Sequence, residues 1–389
     1  MQPAKRIATI PPYLFAQIDK KKNEAIARGV DVINLGVGDP DQPTPSHIVE
    51  AMRNSTQDAA THNYPPYEGT ENFRRAVASY YQKRFGVELD HEREVMALIG
   101  SKEGIAHVFY AFVDPGDLTL VPDPAYPVYK TSTLLAGGIP HAMPLLAKNK
   151  FLPDFSAIPT GIAEKAKLMF LNYPNNPTGA VCDKKFFEEA VAFASENDIL
   201  LCHDLAYSEI TFDGYVAPSV LEVKGAKSVA IEFNSLSKTY NMTGWRLGMA
   251  VGSAEAINAL GIIKTNTDSG AFKAIQEAGI VALGGSQGHL NELNQTYRER
   301  RDVLLAGLKR LGWDLEPNRA SFYVWVPIPE GTTSMSFAGR LLDEAGIIVP
   351  PGVGYGDCGE GYIRFALTAP LGRIREAVAR MEKNNLRFR

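Results

Sequence analysis

The run Val229-Ala-Ile-Glu-Phe-Asn-Ser-Leu-Ser-Lys238-Thr-Tyr-Asn-Met-Thr-Gly-Trp-Arg246 sets the frame for the whole chain. Its first part, Val229–Phe233, is short and largely apolar, the pattern of a buried strand. The strand delivers the hydroxyls of Ser235 and Ser237, the amine of Lys238 and, eight residues later, the guanidinium of Arg246. Hydroxyls and a guanidinium suit an anionic, phosphate-like group. A lysine beside them on a rigid strand end can form an imine once its amine is partly neutral. The combination points to a phosphorylated aldehyde as ligand. The plain alternative is a Ser-rich turn with a solvated lysine, and the rest of the chain decides between them.

Working outward, short apolar strands alternate with helical stretches from about residue 95: Val95–Ile99, Leu118–Val121, Lys167–Leu171, Ile199–Cys202, Val229–Phe233 and Leu247–Val251. That alternation implies βαβ units and a largely parallel sheet, an α/β fold with ligands at the carboxyl ends of its strands. After Ile99 comes Gly100-Ser101-Lys102, a Gly-rich helix start whose N–H groups suit an anion, though a simple helix cap reads the same way. Tyr126 follows the next strand, and the amide-rich turn Asn172–Gly179 follows Leu171. After Cys202 come His203, Asp204 and Tyr207. A carboxylate at a buried strand end needs a cationic partner. A protonated ring nitrogen is one, and Tyr207 can reach a phenolic oxygen on the same ring. His203 points to the opposite side of the strand and reads as structural.

Upstream, a Pro-braced arm leads into a helix ending near Gly29, and a strand over Val32–Leu35 gives way to the Gly/Pro loop 36–45. A helix over Ser46–Asn54, the aromatic turn Asn63–Thr70 with Tyr67, and a helix to Phe85 follow. Downstream, a long helix spans about Gly288–Leu311. Strands Phe322–Val326, Gly346–Val349 and Tyr362–Phe365, with helices near Phe337–Glu344 and Arg373–Lys383, form a smaller α+β unit. Arg364 stands within an apolar strand and needs a partner, either a bidentate carboxylate ligand or an internal Asp or Glu. The expected division is an arm and small-domain segment at 1–45, a large domain at 46–287 and a small domain at 288–389.

Composition narrows the class. The 389 residues carry 40 basic and 44 acidic side chains, and no Lys/Arg run suits nucleic acid or lipid; Lys20-Lys21-Lys22 reads as the wet face of a helix. Three cysteines (Cys182, Cys202, Cys358) without a C-x-x-C pair argue against disulfides and structural zinc. The histidines show no metal spacing, and no H-E-x-x-H, Walker A or G-x-S-x-G pattern occurs. Gly352–Gly356 lacks the third glycine and the following helix of a dinucleotide loop. With no signal segment and no 18-residue apolar run, the chain reads as cytoplasmic, with no membrane partner.

Asn176-Pro-Thr-Gly179, Asp204-x-x-Tyr207, Ser235-x-Ser237-Lys238, Arg246 and Arg364, in this order, resemble the fold-type-I pyridoxal-phosphate aminotransferases of class I/II over nearly the whole chain. The Tyr-Leu-Phe beginning at Tyr13, the Leu-Gly-Val-Gly-Asp segment and the Gly-Glu-Gly-Tyr-Ile-Arg-Phe-Ala-Leu-Thr run are most similar to the LL-diaminopimelate aminotransferases. The resemblance implies pyridoxal 5'-phosphate as cofactor, no metal, and a homodimer with shared sites. Lys238 would hold the cofactor as an internal aldimine and then carry the proton. Asp204 would pair with the pyridinium nitrogen, Asn176 and Tyr207 with the phenolic oxygen, and Tyr126 would stack on the ring. Ser101, Lys102, Ser235, Ser237 and Arg246 would cradle the phosphate, with Tyr67 and Ser269 reaching that of the partner subunit. Arg364 would clamp the substrate carboxylate, with Gly38 and Tyr13 closing over it.

The activity so implied transfers nitrogen from LL-diaminopimelate to 2-oxoglutarate, giving tetrahydrodipicolinate in lysine biosynthesis. Transamination of aspartate, alanine or aromatic amino acids, or C–S lyase chemistry, would use the same cofactor. A sensor domain of a transcription regulator is the non-enzymatic reading; its usual N-terminal helix-turn-helix is not expected in a chain that enters the fold within about 30 residues.

Overall fold

The computed structural model describes residues 1–11 and 14–388, so the reading of Tyr13 lies outside the described residues. In chain order the strands are β1 (Ile33–Asn34), β2 (Val95–Leu98), β3 (Leu118–Asp123), β4 (Ile139–Pro144), β5 (Ala166–Leu171), β6 (Leu200–Asp204), β7 (Ala230–Ser235), β8 (Gly248–Gly252), β9 (Tyr323–Pro327), β10 (Ile347–Ile348) and β11 (Tyr362–Ala366). Seven form one sheet in the order β2-β8-β7-β6-β5-β3-β4. It is parallel except at β8, which runs antiparallel to both β7 and β2.

Every expected strand is present, with ends shifted by no more than two residues. One strand escaped the sequence reading. β4 carries prolines at positions 140 and 144 and leaves Ile139 half exposed, which suits an edge strand bonded only to β3. The helix expected from Phe337 begins earlier, at Ser334, because Thr333 caps it: Ser336 N–H donates to Thr333 Oγ1 at 3.2 Å, and Thr333 N–H donates to Ser336 Oγ at 3.0 Å.

Helices cover both faces of the large sheet, which is why its strands read as apolar almost throughout. On one face, Phe73, Val77 and Tyr81 of the helix Glu71–Phe85 and Phe187 of Lys184–Glu196 are buried. On the other, Phe109 of Ser101–Phe112 and Tyr129 of Val128–Ala136 stack on Phe170 of β5, with ring centroids 4.9 and 4.8 Å apart. Each such ring contributes about 1.5–3 kcal/mol by leaving water.

A second core joins the chain's first and last parts. β1 pairs in parallel with β10 and β9 pairs antiparallel with β11. The helix His289–Arg310 lies against Leu371–Lys383, where a Cβ on Gly307 would come within 2.4 Å of Val378 Cγ1. Loop 36–45 then crosses between the two cores. Thr368 Oγ1 donates to Val37 O (2.6 Å), Thr44 Oγ1 to Asn241 O (2.8 Å), and Arg300 grips Asp41 through two bonds of 2.7 and 2.8 Å. No described helix is long and apolar enough to cross a membrane.

Candidate active site

Lys238 is carried not by the strand itself but by the one-turn helix Leu236–Thr239 that follows it. Ser235 is both the last residue of β7 and the cap of that turn, its Oγ accepting from Ser237 N–H at 3.1 Å. The turn aims Lys238 into a cavity of about 360 Å³ at the carboxyl ends of β5, β6 and β7. There Nζ donates to Gly38 O at 2.7 Å. Burial lowers the Lys238 amine to about 8; Asp39 opposes this, and Arg246 and Arg364 reinforce it.

Asp204 ends β6 on the same cavity wall. Its Oδ2 accepts from Tyr129 Oη at 2.7 Å, whereas its Oδ1 is buried with no partner. Burial raises the Asp204 carboxyl, while the Tyr129 hydrogen bond and the charge of His203 pull it back. Asn172, the first residue after β5, donates through Nδ2 to Asp204 O (2.7 Å) and accepts from Asn176 N–H (2.8 Å) through Oδ1. The amide turn and the end of β6 are thus locked together. Tyr207 Oη lies 3.1 Å from Tyr323 Oη, and burial pushes both phenols up.

The floor is an anion cradle. Ser101 and Lys102 open a helix of 12 residues with no side-chain cap on its first N–H groups. Gly100 precedes it at φ +74°, and a Cβ there would fall 2.2 Å from Arg246 Nη2. Arg246, itself at φ 56°, donates to Thr243 O at 2.9 Å and lines the same cavity. Ser237 Oγ is buried without a partner. Tyr126 forms a side wall, edge-on to Tyr129 at 6.1 Å, with Lys102 Nζ 5.9 Å from its ring centre.

Arg364 is fully buried in β11. Its Nη1 donates to Asn176 Oδ1 (2.7 Å) and its Nη2 to Gly36 O (2.6 Å), and the guanidinium lies 4.0 Å from the Tyr323 ring centre. Both oxygens are neutral, and Arg364 reaches the cavity wall through Asn176 rather than lining it. Gly38 is equally constrained, because a Cβ there would overlap Tyr323 Oη at 1.8 Å.

Two expected residues stand apart. Tyr67 and Ser269 are exposed and outside this cavity. Tyr67 lines a separate, larger cavity of about 590 Å³ beside Met96 and Lys264 that holds none of the convergent groups above. The Ser269 loop lies close by, with the ideal Gly270 Cβ 3.7 Å from Tyr67 Cα. Tyr129, Asn172 and Tyr323 were missed from sequence. Asn172 carried a signal, its place directly after a strand; Tyr129 and Tyr323 reach the site only through packing.

The family model of the class I and II aminotransferases matches residues 30–381. An LL-diaminopimelate aminotransferase from Moorella thermoacetica is 58% identical over 98% of both chains, and LL-diaminopimelate aminotransferase 2 from Trichormus variabilis is 57% identical over 100% of both. Among solved structures, substrate-bound BacF from Bacillus subtilis has a TM-score of 0.95 at 39% identity, covering 100% of this chain and 99% of that one. The architecture is the fold-type-I arrangement, and the chain belongs to the class I and II aminotransferases.

Proposed function

We propose that the chain is a pyridoxal-phosphate-dependent transaminase that takes the amino group of LL-diaminopimelate and passes it to 2-oxoglutarate. The observation carrying this reading is the convergence of Lys238, Asp204 Oδ1 and the anion cradle on one cavity, with Arg364 beside it. The donor set fits the cofactor. The unpartnered Asp204 Oδ1 suits a ring N–H, and the free Ser237 Oγ, the uncapped helix start and Arg246 suit a phosphate. When bound, pyridoxal phosphate supplies an electron-withdrawing ring that delocalises the charge left at the substrate α-carbon.

The protein's own groups do the rest. Asp204 holds a proton at the ring nitrogen. Arg364 already occupies Asn176 Oδ1, which leaves Asn176 Nδ2 to donate to the ring's phenolic oxygen alongside Tyr207. Lys238 would hold the aldehyde, and its amine, lowered to about 8 and so partly neutral at mildly alkaline pH, would take and return the α-proton. Arg364 would clamp the α-carboxylate in a bidentate fork, with Gly38 closing over the substrate. Residues 46–287 would hold the cofactor, with 1–45 and 288–389 closing on the substrate. Tyr67 and Ser269 would complete the cradle of a second copy, making a homodimer with shared sites. Substrate choice rests on the two relatives' activity.

The test is a half-reaction screen. Holoenzyme mixed with LL-diaminopimelate should convert to the pyridoxamine form faster than with aspartate, alanine or phenylalanine. Rapid conversion by one of these and none by LL-diaminopimelate would overturn the substrate and leave the class intact.

A further inference from the structure

Read from sequence, His203 is a structural residue on the far side of the strand from the cavity; its partners define it more closely. It directly precedes Asp204 on β6 and packs edge-on to Phe187 at 4.7 Å, in the layer between the sheet and its covering helices. It is fully buried, as is its register partner Glu232 on β7.

The hydrogen bonds count its protons. Nε2 lies 3.1 Å from the Tyr173 carbonyl oxygen, and a carbonyl only accepts, so Nε2 carries a hydrogen. Nδ1 lies 2.8 Å from Glu232 Oε2. Glu232 also collects three neutral donors: Tyr81 Oη at 2.8 Å, Ser219 Oγ at 2.8 and 3.0 Å to its two oxygens, and Val220 N–H at 3.0 Å. That donor set is the environment of an ionised carboxylate, and a carboxylate with no exposure requires a cation. Among the described residues, His203 is the group that forms an ion pair with it. The Tyr81 phenol, which donates to Glu232, is pushed up by burial and stays neutral.

We propose that His203 is an imidazolium, held by Glu232 and the Tyr173 carbonyl, and that it is a positioning residue keeping Asp204 ionised for the reaction. The proposal rests on the cofactor reading above. The positive member of the pair belongs to the residue adjoining Asp204 and the negative member to the next strand. That placement agrees with the lowering that His203 exerts on the buried Asp204 carboxyl. The same imidazolium pins the Tyr173 carbonyl, and with it the turn that presents Asn176. Tyr129 holds the carboxylate's other oxygen in place, leaving Oδ1 aimed into the cavity.

Nitrogen-15 NMR of histidine-labelled holoenzyme reads the protonation without reference to activity. At about pH 8, where an ordinary imidazole is neutral, one histidine should carry protons on both ring nitrogens, and its signals should vanish in His203→Gln. An unprotonated nitrogen at that site at about pH 8 would overturn the proposal. The double variant His203→Gln/Glu232→Gln keeps polar side chains at both positions and removes both charges. In it kcat should fall about tenfold with the donor KM within about twofold, and the acid limb of the pH–rate profile should move up by about one unit. Unchanged kcat and acid limb in a double variant that melts like wild type would also overturn it. If that variant does not fold, the wild-type spectrum decides. Failure of the proposed function is distinguishable, since it would appear as a wild-type protein that takes up no pyridoxal phosphate.

Discussion

The two ends of the cavity are built on different plans. The inner end takes side chains from the ends of β6 and β7 and the first turn of Ser101–Phe112, and those side chains hold one another through Asn172, Tyr129 and Ser235. The outer end offers main chain. The carbonyls of Gly36 and Gly38 meet Arg364 and Lys238, and their loop is tied from outside by Thr368, Asn241 and the Arg300–Asp41 pair. Side chains on neighbouring strands are fixed by sheet register. A loop keeps its backbone contacts while its side chains vary. The difference teaches that this fold fixes the chemistry more tightly than the choice of substrate.

The comparison would break most visibly at Lys238, which belongs to both ends through its bond to Gly38 O. Lys238→Ala should lower single-turnover rates by about 10⁴-fold or more and abolish the visible absorbance of covalently held cofactor. Turnover within about tenfold of wild type would remove Lys238 from the centre of the reaction.

Two glycines separate the ends. In Gly100→Ala the new Cβ meets Arg246 at 2.2 Å on a residue already at positive φ, and in Gly38→Ala it meets Tyr323 Oη at 1.8 Å. The first should weaken cofactor binding about tenfold with little change in the donor KM. The second should raise the donor KM about tenfold with cofactor affinity held within about twofold. Fluorescence titration and steady-state kinetics check both, and if the two parameters moved together in each variant the ends would be one unit.

The smallest effect sharpens the inner end alone. The half-buried Lys238 amine is lowered from 10.5 to about 8, so between these values the folded chain binds fewer protons than the unfolded one. The charged amine therefore costs stability below about pH 8, and the cost fades as pH rises through the unfolded value. In cofactor-free protein, Lys238→Met should stabilise by about 3 kcal/mol near pH 7 and by almost nothing near pH 10.5. Urea melts at the two pH values test this, and a gain that did not shrink with rising pH would place the lowered amine elsewhere.

The sequence made the sheet legible because strands buried on both faces leave apolar runs that need no knowledge of neighbours. β4 was not legible, since an edge strand with two prolines lacks that signature. The residues at or a few places beyond strand ends, Asn176, Asp204 and Lys238, could be read because strand ends converge in a parallel sheet. Tyr129 could not, because its approach to Asp204 spans 75 residues and depends on how a helix lies across β5 and β6. Tyr323 was hidden for the same reason. Its position follows from β9 pairing with β11, a register that no local pattern encodes.

One exception in the sheet has a topological consequence. β7 leads up to Lys238, and β8 starts just after Arg246 and runs back down beside it. Had β8 been parallel, the chain would have needed a crossover of a dozen residues or so to reach the opposite rim before entering it. Arg246 would then stand a full strand length from the lysine. The single reversed strand therefore works as a hairpin that returns a cation to the rim from which the chain left. It lets an excursion of eight residues place two positive charges at one edge, and deleting the reversal would separate them without altering either residue.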